Sequence, residues 1–357
     1  MRRTCRPILA AMVLSMSIAP AAHAAKAPTG YQAASAALQW TELQRLDRQF
    51  WPTLPQFNTG LQPGSTAQAN VAVSYLYVGK DRKRQGASVD STIVVYADAR
   101  AARRGYAEAR KVADAGGTTV TGPKVPAAQY RYFTRDAEGF AVRTLRWRVG
   151  RVIGRITAVD APSHPWSSAE LARLFRDVAP RAAKLSAGRL RGPDAQTRER
   201  QAEVLPAAGL APGREIGTIA LPPEAWASQD STGHPRAALR ELVGSRVFGI
   251  DQRNWLVDDH PGVTVSVVWF GFARPMEAAG FVEDFVAETG KQGLDAGDTG
   301  PTAGFRNANG FYELQFAAGA QVGDVACWAP FETKPPKACE RVVRDLAEGW
   351  YAQLSAP

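Results

Sequence analysis

Histidine serves most acid–base and zinc sites, so its few positions are the first place to look for chemistry. Past the N-terminal segment only His164, His234 and His260 remain, and each is followed by a proline: Pro165, Pro235 and Pro261. A residue before proline is pushed out of helical geometry, so none of them fits a helical His-x-x-x-His ligand pair. The best acid–base candidate is Asp258-Asp259-His260, in which Asp259 and His260 would work with a serine brought from elsewhere. The same Asp-Asp-His-Pro-Gly run is what a polar turn before a strand contains. Gly-x-Ser-x-Gly elbows, Walker-type phosphate loops, EF-hand loops and dinucleotide fingerprints are all missing from the sequence. The expectation is therefore a non-enzymatic protein with no catalytic residue, no metal and no cofactor.

Arginine is the second chemical feature. Arg146, Arg148, Arg151 and Arg155 fall on two adjacent predicted strands. If Leu145, Trp147 and Val149 face a core, strand alternation leaves Arg146 and Arg148 on the other side. Val152, Gly154 and Ile156 divide the next strand in the same way, leaving Arg151 and Arg155. The hairpin would then present an arginine-lined surface. One reading is a ligand-binding site for an acidic partner: a wall polymer, an anionic lipid or an acidic protein. The other is an ordinary solvated sheet face. Nucleic acid is disfavoured, because no nucleic-acid-binding motif accompanies the charge.

The charge is unevenly divided. From Thr29 to Gly188 there are 23 Arg and Lys against 12 Asp and Glu, whereas Glu241 to Pro357 holds 9 against 16. A basic part thus precedes an acidic one, and docking of one on the other is a further use for the opposed charges, one that salt would weaken.

Arg2, Arg3 and Arg6, the apolar run Ile8 to Ile18 and Ala22-His23-Ala24 make residues 1–24 a secretory signal peptide. That run is far short of the ~20 residues needed to span a bilayer, so secretion without a membrane span is expected, to the exterior or a periplasm. Cleavage removes Cys5 and leaves Cys327 and Cys339, which in an oxidising compartment form a disulfide. So short a closed loop contributes about 3 kcal/mol.

The elements that must position these groups occur twice. Around Tyr96 a strand leads to Ala99-Arg100 and a helix with Gly105-Tyr106. Around Phe270 a strand leads to Ala273-Arg274 and a helix with Gly280-Phe281. Leu174-Phe175-Arg176-Asp177-Val178-Ala179 is matched by Val342-Val343-Arg344-Asp345-Leu346-Ala347. After each first helix come three strands with tight turns and a closing helix, the first capped by Ser167 with Glu170 as a capping box. Cys339 aligns with Leu171 and Cys327 falls near Ala158, so the second copy would cross-link a contact that the first makes with apolar side chains. The predicted organisation is a first repeat over 29–188, an exposed Arg/Gly/Pro-rich linker over 189–209, and a second repeat over 210–357. The fold class is α+β: a tandem duplication of a mostly antiparallel sheet packed by helices.

Leu221-Pro222-Pro223-Glu224-Ala225-Trp226, Gly249-Ile250-Asp251-Gln252-Arg253-Asn254-Trp255, Val325-Ala326-Cys327 and Ala338-Cys339 carry a resemblance. With them the chain resembles the secreted two-lobed, sensor-like proteins of GC-rich, mainly actinobacterial, bacteria, whose lobes are PsbP/Mog1-like α/β/α sandwiches. The resemblance implies an extracytoplasmic binding or sensing role and transfers no catalytic residue. Two alternatives stand beside it: an envelope-associated hydrolase using Asp259 and His260, and a structural or inhibitory surface protein.

Overall fold

The computed structural model describes residues 30–57, 67–116, 118–120, 129–137, 139–228, 234–257, 260, 263–289, 303–308, 311–329 and 337–356. The signal peptide expected over 1–24 lies outside the described residues.

The first half contains, in chain order, α1 (Gly30–Ala36), α2 (Trp40–Leu43), β1 (Phe50–Pro52), β2 (Gln56–Phe57), β3 (Ala67–Tyr77), β4 (Ser88–Tyr96), α3 (Ala99–Gly116), β5 (Thr118–Val120), β6 (Gln129–Ala137), β7 (Phe140–Val149), β8 (Val152–Asp160) and α4 (Ser168–Ser186). The strands form an antiparallel sheet of order β1-β3-β4-β8-β7-β6-β5, with β2 also on β3. Alternation makes one face apolar: Val71, Val73 and Tyr75 of β3 and Val89, Ile93 and Val95 of β4 are buried in one core with α1 and α4. Tyr96, Ala102, Tyr106 and Ile153 form a smaller cluster under α3 on the other face. The capping box on α4 is present: Glu170 N–H donates to Ser167 Oγ at 3.2 Å, and Ser167 N–H to Glu170 Oε2 at 2.8 Å.

The second half follows as α5 (Ala195–Val204), β9 (Gly213–Leu221), α6 (Pro223–Ala227), α7 (Pro235–Gly244), β10 (Val247–Val257), β11 (Thr264–Phe272), α8 (Pro275–Thr289), β12 (Ala303–Ala308), β13 (Phe311–Ala318), β14 (Gln321–Trp328) and α9 (Lys337–Ser355). Its sheet runs β12-β13-β14-β11-β10-β9. Matched strand for strand, β3-β4-β8-β7-β6 becomes β10-β11-β14-β13-β12, with α3 and α8 in one crossover and α4 and α9 closing the chain. The register repeats as well. Val89 pairs with Ala158 where Val265 pairs with Cys327, and the β-bulge at Ala67/Ala69 recurs at Val247/Gly249. Two layers of helix on one antiparallel sheet, built twice, is the α+β architecture expected.

The structure also corrects the sequence match. Tyr96 N–H donates to Arg151 O, and the equivalent bond runs from Phe272 to Ala320 O, so Tyr96 corresponds to Phe272 rather than Phe270. A slip of two residues keeps every side chain on the same sheet face, which is why the apolar pattern did not expose it. Gly105 and Gly280 are not counterparts either. A Cβ at Gly105 would lie 2.4 Å from the Tyr96 hydroxyl, whereas one at Gly280 would meet nothing within 4 Å.

The stretch 189–209, expected as an exposed linker, carries α5, which is pinned to the second half. Asp251 of β10, fully buried, accepts from Arg200 Nε at 2.8 Å, Arg200 Nη2 at 3.1 Å and Gln201 Nε2 at 2.8 Å. Trp350 Nε1 of α9 donates to Val204 O at 2.9 Å. Asp251→Ala strands the buried Gln201 amide, while Arg200 is exposed enough to turn to solvent. A loss of about 2 kcal/mol is expected, together with new tryptic cleavage at Arg198 or Arg200. An unchanged digest would show that α5 is held by other means.

The halves meet through close packing and through Arg236 of α7, which lies 5.4 Å over the Trp51 ring and donates from Nε to Val78 O at 3.2 Å. The start of α1 abuts β9 so closely that a Cβ on Gly30 would lie 1.9 Å from Ile216 O, and one on Gly217 would lie 2.2 Å from the Phe57 ring. Only glycine admits such an approach. Trp51 and Val78 share an apolar cluster with Ala227 and Leu242, and Ser228 Oγ donates to Pro52 O at 2.6 Å.

Candidate functional site

The arginine hairpin is β7 and β8. Trp147 pairs with Gly154 in the register, and a Cβ on Gly154 would lie 1.9 Å from the indole. The bare glycine lets the indole lie flat over β8, where it packs on Phe175 of α4 with centroids 5.2 Å apart. With Trp147 locked into the core, Arg146 must emerge on the opposite face. Its register partners are Arg155 of β8 and Arg131 of β6, so three arginines share one row of the sheet, with Arg146 in the middle.

That face is not the open arginine-lined surface expected. α3 lies over it, Arg146 is only 5% exposed, and its Nη1 donates to the Ala109 carbonyl of the helix. Burial, and then the neighbouring Arg155, pull the Arg146 pKa down to about 10. Since the folded value is the lower one, the folded state carries the cost of this charge at every pH below about 10. That cost is about 3 kcal/mol. Arg155 is half-buried and donates to Thr92 Oγ1 at 3.3 Å.

The other two arginines do different work. Arg151, at the β7–β8 turn, is also buried and fastens the turn to the end of α4. Its Nε donates to Ser186 O at 3.1 Å, its backbone N–H to Ser186 Oγ at 3.0 Å, and its Nη1 to Gln68 Oε1 at 3.2 Å. Arg148 donates to Gly150 O at 3.1 Å. Of the four arginines expected on one surface, Arg146 and Arg155 stand opposite each other in the register, and Arg148, two residues on from Arg146, leaves the same face of β7.

Beside that pair runs a row of short polar side chains, in register as Ser74, Asp90, Thr157 and Thr144. Thr144 and Thr157 hydroxyls lie 3.2 Å apart. Burial pushes the Asp90 carboxyl pKa up, opposed by a hydrogen bond from Ser74, by the charge of Arg155 and by a bond from Ser88. The face beyond α3 is thus polar and partly covered, with a paired cationic element at its centre.

The equivalent rows of the second half are also polar. Gln252, Val268, Asp324 and Gln315 form one, and Asn254, Ser266, Ala326 and Glu313 the next. Asp324 stands where the first half has Arg155, and Gln315 where it has Arg146. Sequence reasoning passed over these residues, although Asp251-Gln252-Arg253-Asn254 carries polar side chains to both faces of a strand, which a half-solvated strand does not need.

His260 is exposed, in the turn that joins β10 to β11, where Val263 N–H donates to its carbonyl at 3.0 Å; Asp258 and Asp259 lie outside the described residues. His164 is exposed beside Ser163, 3.0 Å from its hydroxyl, and His234 precedes α7. Among the described residues no group of three or more His, Cys, Asp or Glu could hold a metal ion, and no helix is long and apolar enough to cross a membrane.

No protein-family model matches the chain, and no curated protein matches it. Among solved structures, the extracellular domain of PknH from Mycobacterium tuberculosis aligns with a TM-score of 0.33 and 15% identity, covering 43% of this chain and 98% of that one.

Proposed function

We propose that the chain is a secreted, non-enzymatic binding protein whose first lobe takes an anionic group against Arg146 and Arg155. The observation that carries this reading is the pairing itself: a nearly buried guanidinium faces a second one across the β7–β8 ladder. Like charges held together in a poorly solvated place, with Asp90 the nearby carboxyl in the adjacent row, favour a further anionic group. The ligand class is then an acidic group, on a wall polymer, a lipid headgroup or an acidic protein. Export is supported by the positively charged and apolar N-terminus and by a disulfide that needs an oxidising compartment.

Phosphate tests the site directly. At constant ionic strength, replacing chloride by inorganic phosphate should raise the melting midpoint of the mature protein, because a ligand that binds only the folded state stabilises it. Arg146→Gln with Arg155→Gln should abolish the rise, while Arg148→Gln should leave it. Equal responses from all three proteins would remove the anion site.

A further inference from the structure

We propose that the corresponding face of the second lobe is a separate binding site, for a small uncharged polyhydroxylated molecule of monosaccharide size. This rests on the reading of the polar sheet face as the binding face of the module, and it assigns the second copy a ligand of different chemistry.

Gln252, Asn254 and Gln315 are each at least 97% buried, at 3%, 1% and 1% exposure. Each keeps one polar atom without a hydrogen-bond partner: Gln252 Oε1, Asn254 Nδ2 and Gln315 Oε1. A buried polar atom left unpaired is costly, and such atoms are rare in folded proteins. Three on one face of one sheet point to something that pairs with them.

The neighbours fix which way the amides point. Gln252 Nε2 lies 3.2 Å from Ser266 Oγ, 3.4 Å from Asn254 Oδ1 and 3.4 Å from the Pro55 carbonyl. A carbonyl only accepts, so Nε2 is on that side and Oε1 is turned away. Gln315 Nε2 donates to Asp324 Oδ2 at 3.2 Å, which turns its Oε1 away likewise. The unmet set is two acceptors and one donor, flanked on the same face by the buried carboxyl groups of Asp324 and Glu313, to which a hydroxyl can also donate. An ammonium only donates and would fail Asn254; a fully ionised phosphate only accepts and would fail both glutamines. A hydroxyl does both, so vicinal hydroxyls match the set.

Ser266 and Ala326 are small and lie between Asn254 of β10 and Glu313 of β13, while in the adjacent row Val268 and Asp324, both buried, lie between Gln252 and Gln315. Three strand spacings separate β10 from β13, about 14 Å between Cα atoms. Ala326 is partly exposed, which gives access to the floor.

Titration calorimetry of the mature protein with glycerol, glucose, myo-inositol and N-acetylglucosamine, with spermidine and phosphate as the charged probes, tests the assignment. At least one polyol should bind, Gln252→Met and Gln315→Met should each weaken it at least tenfold, and Ala326→Leu, at a partly exposed position that tolerates a larger side chain, should block it. Arg146→Gln should lose phosphate binding and keep the polyol, so the two sites fail separately. The proposal is overturned if none of the four polyols binds, if only spermidine or phosphate binds to the second lobe, or if the methionine variants melt higher than wild type without any polyol response.

Discussion

Asp160→Ala should cost the first lobe about 3–5 kcal/mol, the range for removing one partner of a buried ion pair. Asp160 ends β8 with no exposure. Its two oxygens accept from Arg84 Nε at 2.9 Å and Nη2 at 2.6 Å, and Oδ1 also accepts from Ala161 N–H at 2.8 Å. Arg84 reaches it from the β3–β4 connection, donates as well to Asp47 at 2.9 Å, and stacks 4.4 Å over the Tyr77 ring. Its pKa is held above the ordinary arginine value, chiefly by the bond to Asp160. Truncating Asp160 leaves this guanidinium nearly buried beside an aromatic ring with one carboxylate instead of two. Urea unfolding would show the loss as a lowered midpoint. Arg84→Met added to Asp160→Ala should recover part of it, since the stranded charge is then gone. A single-variant loss below about 1 kcal/mol would mean that Asp47 alone satisfies Arg84.

The second large effect concerns the disulfide. Cys327 on β14 and Cys339 on α9 are bonded, with Cα atoms 5.4 Å apart and a sequence separation of 12, and neither has any exposure. Replacing both by serine should cost about 3 kcal/mol from the lost loop constraint, plus the burial of two hydroxyls. The first lobe suggests a repair. Ala158 and Leu171 occupy the equivalent positions there and are fully buried in its core. Cys327→Ala with Cys339→Leu should therefore recover about 1.5–3 kcal/mol through leucine burial. If the Ala/Leu protein is no more stable than the double serine variant, the two cores are not equivalent at this point and the copied-module account weakens.

Much of this was open to sequence reading because it depends on local rules. Alternating apolar residues over 70–78 and the largely apolar run over 263–270 specified strands, Ser167 with Glu170 specified the start of a helix, and the Leu171/Cys339 correspondence follows from the constant offset that matches Leu174–Ala179 to Val342–Ala347. The pairing of Tyr96 with Phe270 failed by two residues because strand periodicity leaves even-numbered slips undetected; hydrogen bonds between distant strands set the true register.

The α+β class, the doubled element order, the side of β7 on which Trp147 and Arg146 fall, and the availability of two cysteines for one bond are all legible in the chain. These follow from periods of two and 3.6 residues and from composition. Which polar side chains are sealed from water depends on how distant segments pack. Alternation shows that Arg146 leaves the core, but only the position of α3 shows that it enters a second, drier space instead of solvent. Whether Gln252 and Gln315 find partners likewise depends on Pro55 and Asp324, brought to them from remote parts of the chain. Burial is a property of what lies opposite a residue, and no local pattern in the chain encodes that.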